Sequence, residues 1–392
     1  MEAAVSPPRT PLWRNVKARR VAGQVLFGIA VLFLVREVSL NIEFNAAARR
    51  QSLDFGFLND QAGFAIGDSP IEYSNTDPVS RAFQVGFWNT IRVSLLGILL
   101  TSILGLLLGI ARLSPNWLVR KLSQAYVDLF RNTPVAVQVI FWWTAVFLTL
   151  PRIEDSVRVF GVAYVSNRGT VIPWFRLEEG GGTWGIALAA GLVVAALLWL
   201  WRTRANERTG EPHHRVLWST LAFLAVAILG FLLTGTPMEA DVPELVGRIY
   251  VGGVRASSEF AALLAALVIY TAAFIAEIIR GSIQAVSKGQ HEAAEALGLR
   301  RGHQLRFVIL PQALRIALPA INSQYLNLMK NSSLGVLIGF FELTRVARSI
   351  INAGGPGLQV LLMTMATYLG ISLAISLVMN ILNRAVATRG AR

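Results

Sequence analysis

Apolar runs near the length of about 20 residues that crosses a bilayer recur along this 392-residue chain, separated by polar loops. They fall at roughly 21–42, 83–111, 134–150, 184–201, 216–234, 260–280, 312–338 and 359–383. A soluble fold has no means of hiding so many. Only 15% of the side chains are charged and 54% are hydrophobic, against about 25% charged in an average soluble domain. The expected fold class is therefore all-α, a polytopic membrane protein with about eight transmembrane helices.

The net charge of +13 is explained by topology. With the N-terminus inside, Lys and Arg divide roughly two to one in favour of the cytoplasmic segments, and most acidic residues fall in the outer loops. This removes the main reason to expect a nucleic-acid partner. It leaves lipid as the surrounding medium and places both termini and the Arg202–Arg215 turn in the cytoplasm. Arg9, Arg14, Lys17, Arg19 and Arg20 precede a first apolar run without a small-residue cleavage site, so that run is expected to be a retained anchor. The chain has no cysteine, which excludes disulfides and thiol chemistry. Its four histidines, His213, His214, His291 and His303, form no metal or triad pattern, so no metal site and no catalytic residue is expected. No Walker-type phosphate loop occurs either.

The most informative segment lies between the sixth and seventh runs, Gly289-Gln290-His291-Glu292-Ala293-Ala294-Glu295-Ala296-Leu297-Gly298, leading to Val308-Ile309-Leu310-Pro311. Ala, Glu and Leu favour a helix over Gln290–Leu297, Gly298 suits a left-handed C-terminal cap, and Pro311 suits the start of the next helix. Small side chains at Ala293 and Ala294 allow close approach by a partner, and Glu292 can accept charge-assisted hydrogen bonds. Glu292-Ala293-Ala294, Gly298 and the run to Pro311 resemble the EAA loop of binding-protein-dependent ABC importer permeases, with Val308 where isoleucine is usual. Gly86–Ile91, Phe130–Gln138, Ala276–Ile283 and Lys330–Leu334 are similar to the polar and general L-amino-acid permeases.

The resemblance covers 83–150 and 260–389. It implies four parts: residues 1–82 with a tail, first span and outer loop; a first core part at 83–150; an insertion with two spans at 151–258; and a second core part at 259–392 carrying the coupling loop. It further implies a bacterial inner-membrane permease working by alternating access. The implied partners are a second permease subunit, expected to be a paralogue, two ATPase subunits using ATP and Mg, and a periplasmic amino-acid-binding protein. No cofactor is expected in this chain. An ATP-independent secondary transporter or channel is the alternative, with Lys330 and Arg92 as its coupling charges.

Within the spans, two readings of Lys330 stand. Its ammonium meets a substrate carboxylate with Asn331, Ser332 and Ser333 orienting the head group, or it snorkels to the interface while the serines cap a helix restart. Arg92 has no acidic residue within a helical turn, so it needs an interhelical partner, a watery cavity or the interface. Gln138 is expected to bond across helices or line the pathway. Glu277 and Arg280 are expected to form a structural ion pair. Trp142 and Trp143 are read as packing residues before substrate contacts.

Overall fold

A computed structural model describes residues 16–48, 54–177, 181–209, 214–235 and 238–388. Residues 1–15, Glu178–Gly180 of the glycine-rich segment and 210–213 of the basic turn lie outside the described residues. The chain begins with α1 (Val16–Ala48), whose apolar side chains, Leu26, Phe27 and Leu32 among them, are exposed. A loop carrying Asp68 leads to α2 (Val79–Ala111), then to the amphipathic α3 (Trp117–Arg131) and the short α4 (Val135–Phe141), which continues as a π-helical turn to Phe147.

Strands β1 (Val157–Val159), β2 (Ala163–Ser166), β3 (Gly169–Ile172) and β4 (Trp174–Leu177) precede the helical hairpin α5 (Gly181–Thr209) and α6 (Arg215–Leu233). Strands β5 (Met238–Asp241), β6 (Glu244–Val246), β7 (Ile249–Val251) and β8 (Val254–Ala256) follow it. Then come α7 (Ser258–Gln284), α8 (Lys288–Ala296), α9 (Arg301–Gln304), α10 (Leu310–Asn331), α11 (Leu343–Asn352) and α12 (Gly357–Thr388).

Six helices among the described residues are long and apolar enough to cross a membrane, so the expected count of eight is not reached. Five correspond closely to expected runs, and the sixth joins α9, a π-helical turn and α10 through to Leu337. The run expected at 134–150 is a helix of only 13 residues, Val135–Phe147, about 20 Å long and short of the roughly 30 Å hydrocarbon core. The run expected at 21–42 lies within α1.

The eight short strands among the described residues are not anticipated by an all-α reading, although helix dominates the fold. They form a small module around the feet of the α5–α6 hairpin. β1, β2, β3 and β8 make one antiparallel sheet, while β4 pairs with β5 and β6 with β7. Pairing of β3 with β8 and of β4 with β5 closes the segment on itself, because strands from either side of the hairpin meet. Ile153, Tyr164, Val171 and Tyr250 fill its core.

Helix α7 is the central element, packed against α2, α3, α4 and α10. Its start is set by Ser257, whose side chain accepts the Phe260 amide at 3.1 Å. Gly105 and Gly109 let α2 lie close along it. A Cβ at Gly105 would meet Ile275 Cγ2 at 2.6 Å, and one at Gly109 would meet Ile279 Cβ at 2.9 Å. Close backbone approach through small residues is how helices associate where apolar burial gives no advantage over lipid. Phe260, Leu263, Leu267, Val93, Leu328 and Phe340 form the main core, and Trp142 and Trp143 pack against it. The module sits at the N-terminal end of α7 and α8 at its C-terminal end, so the 27 residues of α7 separate them by about 40 Å.

Candidate functional site: the capped loop helix and the charged nodes of the bundle

The α8 loop has the geometry its residue types favour. Helix α8 ends at Ala296, Leu297 caps it, and Gly298 takes φ +70, the left-handed region. The Gly298 amide donates to Glu295 O at 2.9 Å and the Leu299 amide to Ala294 O at 3.1 Å. These two bonds complete a Schellman cap, which needs a residue without a Cβ penalty at that position. Glu292 and Ala293 are exposed, as is Leu297 at 79%. Ala294 is not presented to a partner as expected. It is 2% exposed and faces its own chain, because the two alanines lie about 100° apart on the helix. Only one of them can therefore serve an outside surface. Gln312 Nε2 donates to Gln290 Oε1 at 2.9 Å and ties α8 to α10.

Pro311 stands in the first turn of α10, as expected, but α10 follows directly on helical chain. The chain is already helical from Arg301, and a π-helical turn at Leu305–Ile309 precedes the proline, with the Leu310 amide bonded to Leu305 O. The wider turn accommodates a residue that has no amide proton to continue the regular ladder.

A second node lies at the same end of the bundle. Glu277 accepts Arg280 Nη2 at 2.5 Å and also binds Arg112, with Arg131 at 3.9 Å. The expected pair with Arg280 is present. The contributions of Arg112 from α2 and Arg131 from α3 could not be anticipated at separations of more than a hundred residues. The carboxylate thus joins the ends of three helices.

At the other end, Arg92 finds its partner on the loop before α2 and not on another helix. Its Nη2 lies 2.7 Å from Asp68 Oδ1 and its guanidinium stacks 4.1 Å from the Phe260 ring centroid. Asp68 Oδ2 also accepts the Ser257 amide at 3.0 Å, and Asn89 Nδ2 donates to Asp68 O and Phe341 O. Arg92 therefore anchors the loop onto α2 and α7.

Gln138 Nε2 donates to Phe130 O and Thr133 O, both at 3.0 Å, so its amide nitrogen braces the turn between α3 and α4. Lys330 is exposed at the end of α10 and enters none of the ion pairs among the described residues. Asn331 is half-buried. Ser332 is fully buried and donates to Met329 O at 2.6 Å, whereas Ser333 donates to Lys330 O at 2.8 Å. Lys330 and Ser332 thus face different surroundings, and a 3-10 turn runs on from Ser332 to Leu337 while both serine hydroxyls bond back into the end of α10. Among the described residues no cluster of three metal-capable side chains occurs.

Glu342 was missed by sequence reasoning, because a glutamate in a loop carries no signal of burial. It is 0% exposed and caps α11, accepting the Thr344 and Arg345 amides at 2.9 and 2.8 Å and the Tyr368 hydroxyl at 2.7 Å. Burial pushes its carboxyl above the usual carboxylate range, opposed by the bonds from the Thr344 amide, Tyr368 and the Arg345 amide. The folded state therefore holds the proton more tightly than the unfolded chain. This contribution is fully present below the unfolded carboxylate value and is lost as pH rises through the folded one. Glu342→Gln, fixed in the neutral form, is expected to flatten the fall in unfolding midpoint as pH rises above the ordinary carboxylate range. Thermal unfolding in detergent measures it, and an unaltered pH slope in the variant would reject the assignment.

A bundle of membrane-length helices that presents one short, firmly capped helix beyond its end has the build of a transport subunit driven by a partner. The chain belongs to a family of such proteins: residues 216–390 match the binding-protein-dependent transport system inner membrane component. It is 42% identical to YhdX of Escherichia coli (strain K12) over 95% of each chain. The general L-amino acid transport system permease protein AapQ of Rhizobium johnstonii is 40% identical, over 95% of this chain and 93% of the relative. The glutamate/glutamine/aspartate/asparagine transport system permease protein BztB of Rhodobacter capsulatus is 36% identical, over 98% and 99%.

Proposed function

We propose that this chain is the permease subunit of an ATP-driven importer that takes up amino acids handed over by a periplasmic binding protein. The observation that carries the reading is the α8 loop, in which Glu292, Ala293 and Leu297 are exposed ahead of a rigid left-handed cap at Gly298. Such a face suits the groove of a separate ATPase, and the Gln290–Gln312 bond gives motion of the helix a direct route into α10. The names of AapQ and BztB, matched along nearly their whole length, support amino acids as the solute class.

In this reading the α8 end and both termini face the cytoplasm, while the β module faces the periplasm. Two ATPase subunits bind ATP and Mg, and a second permease, a paralogue, completes the membrane pore. Alternating access then requires the ends of α2, α3 and α7 to move as one body, and Glu277 with its arginines links them. Co-purification of the expressed transporter with identification of its subunits, followed by amino-acid uptake into liposomes, tests the proposal. Uptake that needs ATP and the binding protein is the expected result. Uptake by this chain without an ATPase would overturn it in favour of a secondary carrier.

A further inference from the structure

Between the β module and the N-terminal end of α7 lies a cavity of about 610 Å³, within the range of about 300–1,000 Å³ usual for small-molecule sites. Arg168, Arg248, Arg255 and Tyr250 line it from the module, and Asp68 and Glu259 line it from the bundle. Two of these charges are already engaged, since Arg248 pairs with Glu154 at 2.8 Å and Asp68 with Arg92 at 2.7 Å.

Arg168 and Arg255 enter no ion pair among the described residues; the Arg255 guanidinium donates only to Tyr250 O, at 3.5 Å. Pairing of Thr170 with Ala256, and of Val171 with Arg255, brings the β2–β3 turn that bears Arg168 beside β8. Gly169 allows this contact, since its φ of +121 and the closeness of the Ala256 carbonyl leave no room for a side chain. The Tyr250 hydroxyl is buried without a partner among the described residues, in a side chain only 8% exposed. The N-terminal end of α7, where helix dipoles favour negative charge, forms part of the wall. Glu259 accepts the Ser258 hydroxyl at 3.3 Å and, among the described residues, is the cavity carboxylate without a cation.

We infer that this cavity is a second binding site for free α-amino acids, in which Arg168 and Arg255 take the carboxylate and Glu259 takes the ammonium group. Two unpaired guanidiniums suit a planar carboxylate, and the remaining volume accommodates side chains of varied size. Its role as a station on the way into the bundle rests on the importer reading. Its chemistry does not.

The absence of cysteine makes a local test direct. Asn167→Cys, at a cavity position held by its backbone bond to Pro151 O, provides a single maleimide target in the full chain in nanodiscs. Saturating L-alanine or L-glutamine is expected to slow labelling at least about fivefold, while alaninol, lacking the carboxylate, and propionate, lacking the ammonium, leave the rate unchanged. Arg168→Gln or Arg255→Gln is expected to weaken protection about ten- to a hundredfold in concentration. An unchanged thermal unfolding midpoint of these variants shows that the module is intact. Labelling indifferent to every amino acid would overturn the site, as would protection that survives replacement of both arginines. Protection by propionate equal to that by alanine would overturn the ammonium half. The readout needs no ATP, binding protein or transport, so its failure is distinct from a failure of ATP-driven uptake.

Discussion

Replacing Gly298 by aspartate is expected to cut ATP-driven uptake at least about tenfold while leaving the chain inserted. The residue sits at φ +70, and nothing lies within 4 Å of where a Cβ would stand, so the substitution meets open space. What it disturbs is the cap. Left-handed backbone costs most L-residues about 1–2 kcal/mol, less for aspartate and asparagine, and in aspartate a negative charge beside the last carbonyls of α8 adds to it by opposing the helix dipole. A tilt or fraying of α8 by that energy corresponds to about a tenfold change in any equilibrium that depends on its docked form. Asparagine tolerates the left-handed region and adds no charge, so Gly298→Asn is expected to retain most uptake. Reconstituted transport with subunit stoichiometry measured in the same preparation separates coupling from assembly. Wild-type uptake by the aspartate variant would remove the loop from the coupling path.

Lys330→Met is expected to weaken apparent substrate affinity at the permease by about ten- to a hundredfold. The motive is an exposed ammonium at the end of a membrane helix that enters no ion pair among the described residues. If it meets a substrate carboxylate, losing the charge-assisted hydrogen bond costs about 1.5–3 kcal/mol, which sets that range. Methionine keeps most of the apolar length and is tolerated at an apolar interface, so a merely snorkelling lysine predicts no change. Transport across substrate and binding-protein concentrations decides between them. Ser332 is not expected to share this role, since its hydroxyl is buried and bonded to Met329 O.

Much of the architecture was legible because lipid imposes a length and a hydropathy that sequence displays directly. Helices α2, α5, α6, α7 and α12, and the joined helix ending at Leu337, fall where apolar runs predict them. The run at 134–150 forms a shorter helix than hydropathy suggests, because a π-helical turn closes it at Phe147, yet it carries the chain from Arg131 at the α8 end to Leu148 beside the module. The strands were hidden for a related reason. Three- and four-residue segments carry too little alternation to be seen, and their pairing joins residues on either side of the α5–α6 hairpin.

The loop helix, its left-handed glycine and the membrane class are determined by the sequence itself, since each depends on neighbours within a few residues or on the solvent the chain must satisfy. Tertiary structure alone decided which side chains share a site. Glu277 gathers arginines from α2 and α3, and Arg92 is neutralised by an aspartate from a loop. Ala294 turns inward while Ala293 turns out, and Glu342 is enclosed at the head of α11. Charges set within a membrane bundle are costly unpaired, so charges far apart in the chain must find each other. Which ones meet is fixed by the packing of α2 and α7, a contact that no local pattern encodes.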